Sequence, residues 1–338
     1  DLAYGQIGHV CFLPLGYPHQ HRAIWRGRSM QPCKATGGAC INIRMALRFA
    51  LTHRSTYRYA RAVGLGPQLI RLRPAPHCRT PILSYALNIE QATHWLHWQQ
   101  DPLGNFMARV LMTEPVTSFS ITVDLTAEIA PINPFDFFVE PEAATWPFTP
   151  ASWLAEQLLP YQRLDPLGAR FAALLAEIPR DPRGTVELLI SLTALLHQRI
   201  AYVQRHEPGV WDTEQVLREG RGSCRDSSWL LVQILRRLGF GARFVSGYLI
   251  EPAMLGRDDA ELHAWAEAYL PGAGWIGLDP TSGLLAGAGH IPLAAAPDPA
   301  SAAPISGTVE QVETETRFEM AVRRLTDGQD LPVPPAHG

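Results

Sequence analysis

The chain has 338 residues, 46% of them apolar, and a formal net charge of −3. That apolar content excludes a disordered chain, and the length suffices for two domains. The near-neutral charge excludes a strongly basic nucleic-acid surface, and no apolar run reaches the roughly 18 residues of a membrane-spanning helix.

Residues 1–44 show no clear hydrophobic period and hold Cys11, Cys33 and Cys40, three of the five cysteines. The run GHVCFLPLGYPHQ is apolar only briefly and lacks a basic lead-in and a small-residue cleavage site, so it does not resemble a signal peptide. The expectation is that native translation begins at Met45 and that 1–44 is an extension outside the fold. Five scattered cysteines without CxxC or zinc-ligand spacing point to free thiols in a reducing compartment, the cytoplasm, and to no metal or other cofactor. Lys34 is the only lysine and every other basic residue is Arg, for which biased base composition is the simple cause.

Residues 45–130 are expected to form a β-rich domain. Leu47–Tyr59 alternates and is rich in Thr, Tyr and Phe, as a half-buried strand is. Strand patterns continue at Leu69–Leu72, Ile82–Ile89, Trp95–Gln99, Phe106–Met112 and Phe119–Ile129. Asp101-Pro102-Leu103-Gly104-Asn105 is a turn signal that predicts a hairpin. Six or so short strands suggest a sandwich or small barrel. Residues 131–150, rich in Pro and Phe, are expected to be a packed linker.

Helical spacing follows over Ser152–Leu159, Pro166–Ile178 and Thr185–Ile200. Cys224–Leu238 is a further helix, stopped by Gly239. Strands are expected at Ala242–Ile250, Glu261–Leu270 and Trp275–Leu278, which makes 151–293 an α+β domain. Residues 294–338 are expected to be an Ala- and Pro-rich loop, a last strand near Arg317–Arg324 and a loose tail.

The informative segment is Gly220-Arg221-Gly222-Ser223-Cys224-Arg225-Asp226. A thiol at a helix N-terminus lies beside unpaired backbone N–H groups and the positive end of the helix dipole, both of which favour the reactive thiolate. The same N–H groups can hold a developing oxyanion. A buried structural cysteine is the commoner fate of a lone Cys, so further elements have to decide. His263 lies on a predicted strand, and Asp279 follows it by sixteen residues at the end of the next one. Antiparallel pairing of those strands through Pro271-Gly272-Ala273-Gly274 would bring the two together, as a base and the carboxylate that orients it. Alone, each has a bland reading, a structural histidine and an Asp-Pro turn; the three in order, on suitable elements, favour function.

The GSCRD, HAW and WIGLDPTSG segments resemble the core of the bacterial transglutaminase-like superfamily, and LGPQLIRLRPAP with the DPLGN turn resembles the β-rich domain that precedes it. The resemblance covers about Met45 to Arg324. It implies an α+β architecture: a papain-like transglutaminase core preceded by an all-β, sandwich-like N-terminal domain. It further implies Cys224 as nucleophile, His263 as base and Asp279 as orienter, acting on a peptide or small amide through a thioester. Amine transfer and hydrolysis share that half-reaction, and the sequence does not choose between them.

Tyr202, Trp211 and Trp265 are candidates for the oxyanion site or the cleft, although each also suits a core position. His290, in a glycine-rich loop, could line the cleft, although a surface position is the expectation. Asp258, Asp259 and Glu261 are expected to be a solvated acidic patch that could favour a basic substrate group. A non-catalytic binding module of the same fold is the competing class. An arylamine acyltransferase lacks a recognisable acyl-CoA motif here, and no GxSxG or HExxH supports a serine or metal hydrolase.

Overall fold

A computed structural model describes residues 46–91, 93–205, 207–253 and 258–326. The expectations for 1–44 and for the tail after 326 lie outside them. In chain order the elements are β1 (Leu47–Val63), β2 (Gln68–Ile70), β3 (Ile82–Ile89), β4 (His94–Gln100), β5 (Phe106–Met112) and β6 (Val116–Ile129). There follow α1 (Ser152–Leu158), α2 (Ala169–Glu177), α3 (Thr185–Arg199), α4 (Thr213–Glu219) and α5 (Cys224–Arg237). The last are β7 (Ala242–Glu251), β8 (Asp259–Leu270), β9 (Gly274–Asp279), β10 (Leu284–Leu285), β11 (His290–Ala296), β12 (Ile305–Ser306) and β13 (Thr314–Leu325). The architecture is α+β, a β-rich N-terminal region followed by a mixed core.

Alternation explains β1. Phe49, Leu51, His53 and Ser55 are buried while Arg48, Thr52 and Arg54 are exposed, the period-2 pattern of a strand with one face in the core. The buried polar pair at its centre is satisfied: His53 hydrogen-bonds through Nδ1 to the Tyr248 hydroxyl at 3.0 Å and through Nε2 to the Ser55 hydroxyl at 3.0 Å. The DPLGN hairpin is present. Asp101 Oδ1 accepts the N–H groups of Leu103 at 2.9 Å and Asn105 at 3.0 Å, closing the turn between β4 and β5.

Two four-stranded sheets, ordered β13-β1-β6-β3 and β12-β2-β5-β4, make up the β-rich region. Each takes its outermost strand from residues after 300, so this region is not built from 45–130 alone. β13 runs antiparallel to β1, from Arg48 opposite Leu325 to Tyr59 opposite Thr314. The Ala-rich stretch beginning at 294 likewise departs from the expected loop: Ala294–Ala296 close β11, the edge strand of a five-stranded sheet ordered β10-β9-β8-β7-β11. Alanines fit there because the chain is completely covered, all six of Ile291–Ala296 being buried.

The helix α5 is the axis of the core, with twelve of its fourteen residues buried. It packs with Phe171, Leu192 and Leu196 on one side and with Ala264, Ala266 and Ala268 of β8 on the other. The small alanines let helix and sheet approach closely. Gly239 ends the helix in the left-handed region, φ 93°, as a terminal glycine does. The far ends of β7 and β11 leave this core: Tyr248, Ile250, Ile291 and Leu293 join Phe49, Leu51 and Val123 in the hydrophobic interior of the β-rich region. Asn105 adds a polar tie, its side chain giving and taking hydrogen bonds with the backbone of Ala295 at 3.1 and 2.9 Å. No helix among the described residues is long and apolar enough to cross a membrane.

Candidate active site

Cys224 is the first residue of α5 and is buried, with 8% of its surface exposed. A carboxylate two residues on fixes its approach. Asp226 Oδ2 accepts the Ser223 N–H at 2.8 Å and the Ser223 hydroxyl at 2.7 Å, tying the cap to the first turn. The same carboxylate accepts both Nε and Nη2 of Arg205 at 2.9 Å and the Trp211 N–H at 2.8 Å. Burial alone would raise its pKa, but Arg205 and the other donors hold Asp226 below the ordinary carboxylate range. The chain entering the helix is braced a second time by a short parallel pairing of Ala201–Tyr202 with Arg221–Gly222. That pairing carries Tyr202 to within electrostatic reach of Cys224, Glu261 and His263. Burial and the charges of Glu261 and Cys224 raise the Tyr202 pKa, so its hydroxyl remains a donor.

His263 and Asp279 sit on the neighbouring antiparallel strands β8 and β9, whose register pairs Ala266 with Leu278 and Tyr269 with Trp275. Pairing brings His263 Nε2 to 3.2 Å from Asp279 Oδ2. On the other side of the ring, Nδ1 lies 2.9 Å from Glu261 Oε1. Neither contact has the alignment of a hydrogen bond; both are ionic contacts of an imidazolium between two carboxylates. Burial would lower the His263 pKa, but Asp279, Cys224 and Glu261 outweigh it and push it up to about 12. Asp279, also buried, is held far below the ordinary carboxylate range by His263 and His290.

These opposite shifts have a pH signature. A histidine raised from 6.5 to about 12 contributes its full stability below 6.5 and loses it as the pH rises toward 12. A depressed carboxylate contributes above its ordinary 3.8 and loses its contribution as the pH falls below that. The stability difference between wild type and His263→Gln is therefore expected to be largest between about pH 4 and 6.5 and to narrow steadily above it. Calorimetric melting of both proteins from pH 4 to 10 checks this, and a difference that widens at alkaline pH would contradict the assignment of an ion pair.

Three residues take different places from those expected, the first being Asp258, expected in a solvated patch but with its side chain only 14% exposed and paired with Arg324 Nη2 at 2.6 Å. Glu261, expected in a solvated patch, lies on β8 with its carboxylate at His263, a contact that alternation explains because positions 261 and 263 share a face. His290, expected on the surface, has a side chain only 11% exposed and donates from Nε2 to Asp279 Oδ2 at 3.3 Å. The Gly287 N–H donates to its Nδ1 at 3.1 Å, which places the ring hydrogen on Nε2. Asp279 Oδ1 accepts the Thr281 N–H at 2.9 Å, so the carboxylate is held from three directions. His263, Asp279 and His290 together offer a cation three donor atoms within 4.8 Å of one another.

The aromatic candidates separate. Tyr202 faces the thiol region and is half-exposed. Trp211 belongs to the bracing layer, with the Arg205 guanidinium 4.6 Å above its ring. Trp265 is buried against His290, their ring centroids 5.1 Å apart. The helix α4 went unrecognised in the sequence, although its signal was there: Asp212 caps it by accepting the Gln215 N–H at 2.8 Å, and Gly220 closes it.

Comparison with known proteins matches residues 49–128 to the bacterial transglutaminase-like N-terminal region. Residues 172–280, which contain Cys224, His263 and Asp279, match the transglutaminase-like superfamily. An uncharacterized protein of Mycobacterium tuberculosis is 28% identical over 279 residues, spanning 78% of this chain and 87% of its own. One from Mycobacterium leprae is 23% identical over 274 residues, spanning 77% and 92%. A crystal structure from Cytophaga hutchinsonii, of a protein named only provisionally as a cysteine protease, superposes with a TM-score of 0.60 at 19% identity. It covers 87% of this chain and 94% of its own, which shows a shared fold.

Proposed function

Because the chain belongs to the transglutaminase-like superfamily, we propose that it is a cysteine-dependent enzyme performing acyl transfer on a peptide or small amide. The observation that carries the reading is the meeting of Cys224, at the head of a buried helix, with the His263–Asp279 ion pair.

The Cys224 thiolate attacks the amide carbonyl carbon, and the carbonyl electrons move onto oxygen. The opening N–H groups of α5 and the Tyr202 hydroxyl face that oxyanion. Collapse expels the amine, which takes its proton from the His263 imidazolium and leaves a thioester. A second nucleophile, water or an amine, then gives its proton to neutral His263 as it attacks the thioester and regenerates the thiolate. Asp279 holds the imidazolium throughout and is itself held by His290. Glu261, with its carboxylate 45% exposed beside His263, favours a substrate or acceptor that carries positive charge. Free Cys78 and Cys224 accord with a reducing setting, the cytoplasm.

Labelling by iodoacetamide from pH 4 to 10, read by peptide mass spectrometry, tests the pair. Cys78 is the internal control: burial raises its pKa, and its S–H donates to the Thr80 carbonyl at 3.4 Å. Cys224 is expected to label faster than Cys78 below pH 7 and to lose that advantage in His263→Ala. Labelling no faster than Cys78 would move the chain to the class of non-catalytic binding modules.

A further inference from the structure

Beside His290 lies a cavity of about 260 Å³, walled by Trp265, Trp275, Leu285 and His290, with Arg243 and Arg79 among its polar residues. Its floor is the face of the five-stranded sheet that carries Arg243 on β7, Trp265 and Glu267 on β8, and Trp275 and Gly277 on β9. Gly247 lets the Trp265 indole lie along that face, and Gly277 lies against its edge. A Cβ at Gly247 would meet the ring at 2.4 Å, and one at Gly277 would stand 3.5 Å from Nε1. The Trp265 side chain is buried, 1% exposed, and its Nε1–H has no hydrogen-bond partner. A buried donor without an acceptor is destabilising, and this one stands beside Gly277, itself part of the cavity wall.

The charge around the cavity favours an anion. Arg243 and Glu267 neutralise one another through a 2.6 Å contact, and His77 lies 3.2 Å from Arg243. Arg79 stands exposed at the rim. Trp275, lying 4.2 Å below the Arg243 guanidinium, and Leu285 give the wall its apolar part, beside Thr80 and His290. A small cavity with an unsatisfied donor, a surplus cation and aromatic walls is the form of a ligand site.

We propose that this cavity binds a small organic carboxylate, its oxygens accepting the Trp265 indole N–H and its apolar body lying against Trp275 and Leu285. Such a ligand would sit one hydrogen bond behind the candidate triad, because His290 lines the cavity and also donates to Asp279.

Benzoate is the probe. In a titration of the full chain followed by two-dimensional ¹⁵N NMR, the Trp265 indole resonance, assigned by its loss in Trp265→Phe, is expected to move saturably. Arg79→Gln, a surface change that leaves the fold alone, is expected to weaken binding several-fold, and uncharged benzyl alcohol to leave the resonance in place. An unmoved resonance at millimolar benzoate overturns the proposal. So does an equal response to benzyl alcohol, or an unchanged affinity in Arg79→Gln. The readout is binding rather than turnover, so it stands or falls apart from the acyl-transfer reading.

Discussion

Cys224→Ser is expected to leave no more than about 10⁻⁴ of wild-type turnover, because residues that act as one nucleophile–base unit lose nearly all catalysis together. Serine is the informative replacement. It keeps the small polar side chain at the head of α5, so the cap made by Ser223 and Asp226 and the surrounding core are undisturbed. What changes is the acidity of the attacking group: a hydroxyl is not ionised by a helix N-terminus and an imidazolium, whereas a thiol is. Ammonia release from a glutaminyl peptide and amine release from arylamides, each with and without an added primary amine, would measure the loss on whichever substrate the wild type accepts. A serine variant within tenfold of wild type would remove Cys224 from the chemistry.

Asp226→Asn is expected to cost about 3–5 kcal/mol of stability, since it breaks a buried ion pair and leaves the other partner behind. Asp226 is wholly buried and accepts five hydrogen bonds, two from Arg205, two from Ser223 and one from Trp211. An amide offers one oxygen where two are needed, and its NH₂ would face donors. Arg205, with 8% of its side chain exposed, would be left with only the exposed Glu207 carboxylate, 3.7 Å away, to offset its charge. A fall in melting temperature on the order of 10 °C is expected, together with slower labelling of Cys224 as the helix head loosens. The double variant with Arg205→Met should recover part of the loss, because the uncompensated charge is then gone. Simple addition of the two single effects would show that the pair is not the bracing unit described.

In the sequence Asp226 shows only as an acidic residue two places after the first residue of a predicted helix. Its partner Arg205 is 21 residues away in a loop with no periodicity, and nothing in such a segment declares what it folds onto. His290 was misplaced for a related reason. It follows a run of Gly and Ala that carries no strand pattern, yet pairing with β7 makes the segment beginning at His290 an edge strand, His290 opposite Leu249.

By itself the sequence determined what local physics encodes. Alternation marked β1 through β6, three- and four-residue spacing marked α1, α2, α3 and α5, and Asp-Pro-Leu-Gly-Asn marked the hairpin. The order of Cys224, His263 and Asp279 on a helix head and two successive strands was legible because short connections force such strands to be neighbours. Tertiary structure alone decided the rest: that β13 completes the sheet begun by β1, that Glu261 and His290 join the candidate triad, and that the Trp265 indole lines a cavity shared with His290. Each of these depends on contacts between residues remote in sequence, or on which face of a strand meets empty space. Neither leaves a period, a cap or a turn for the chain to show in advance.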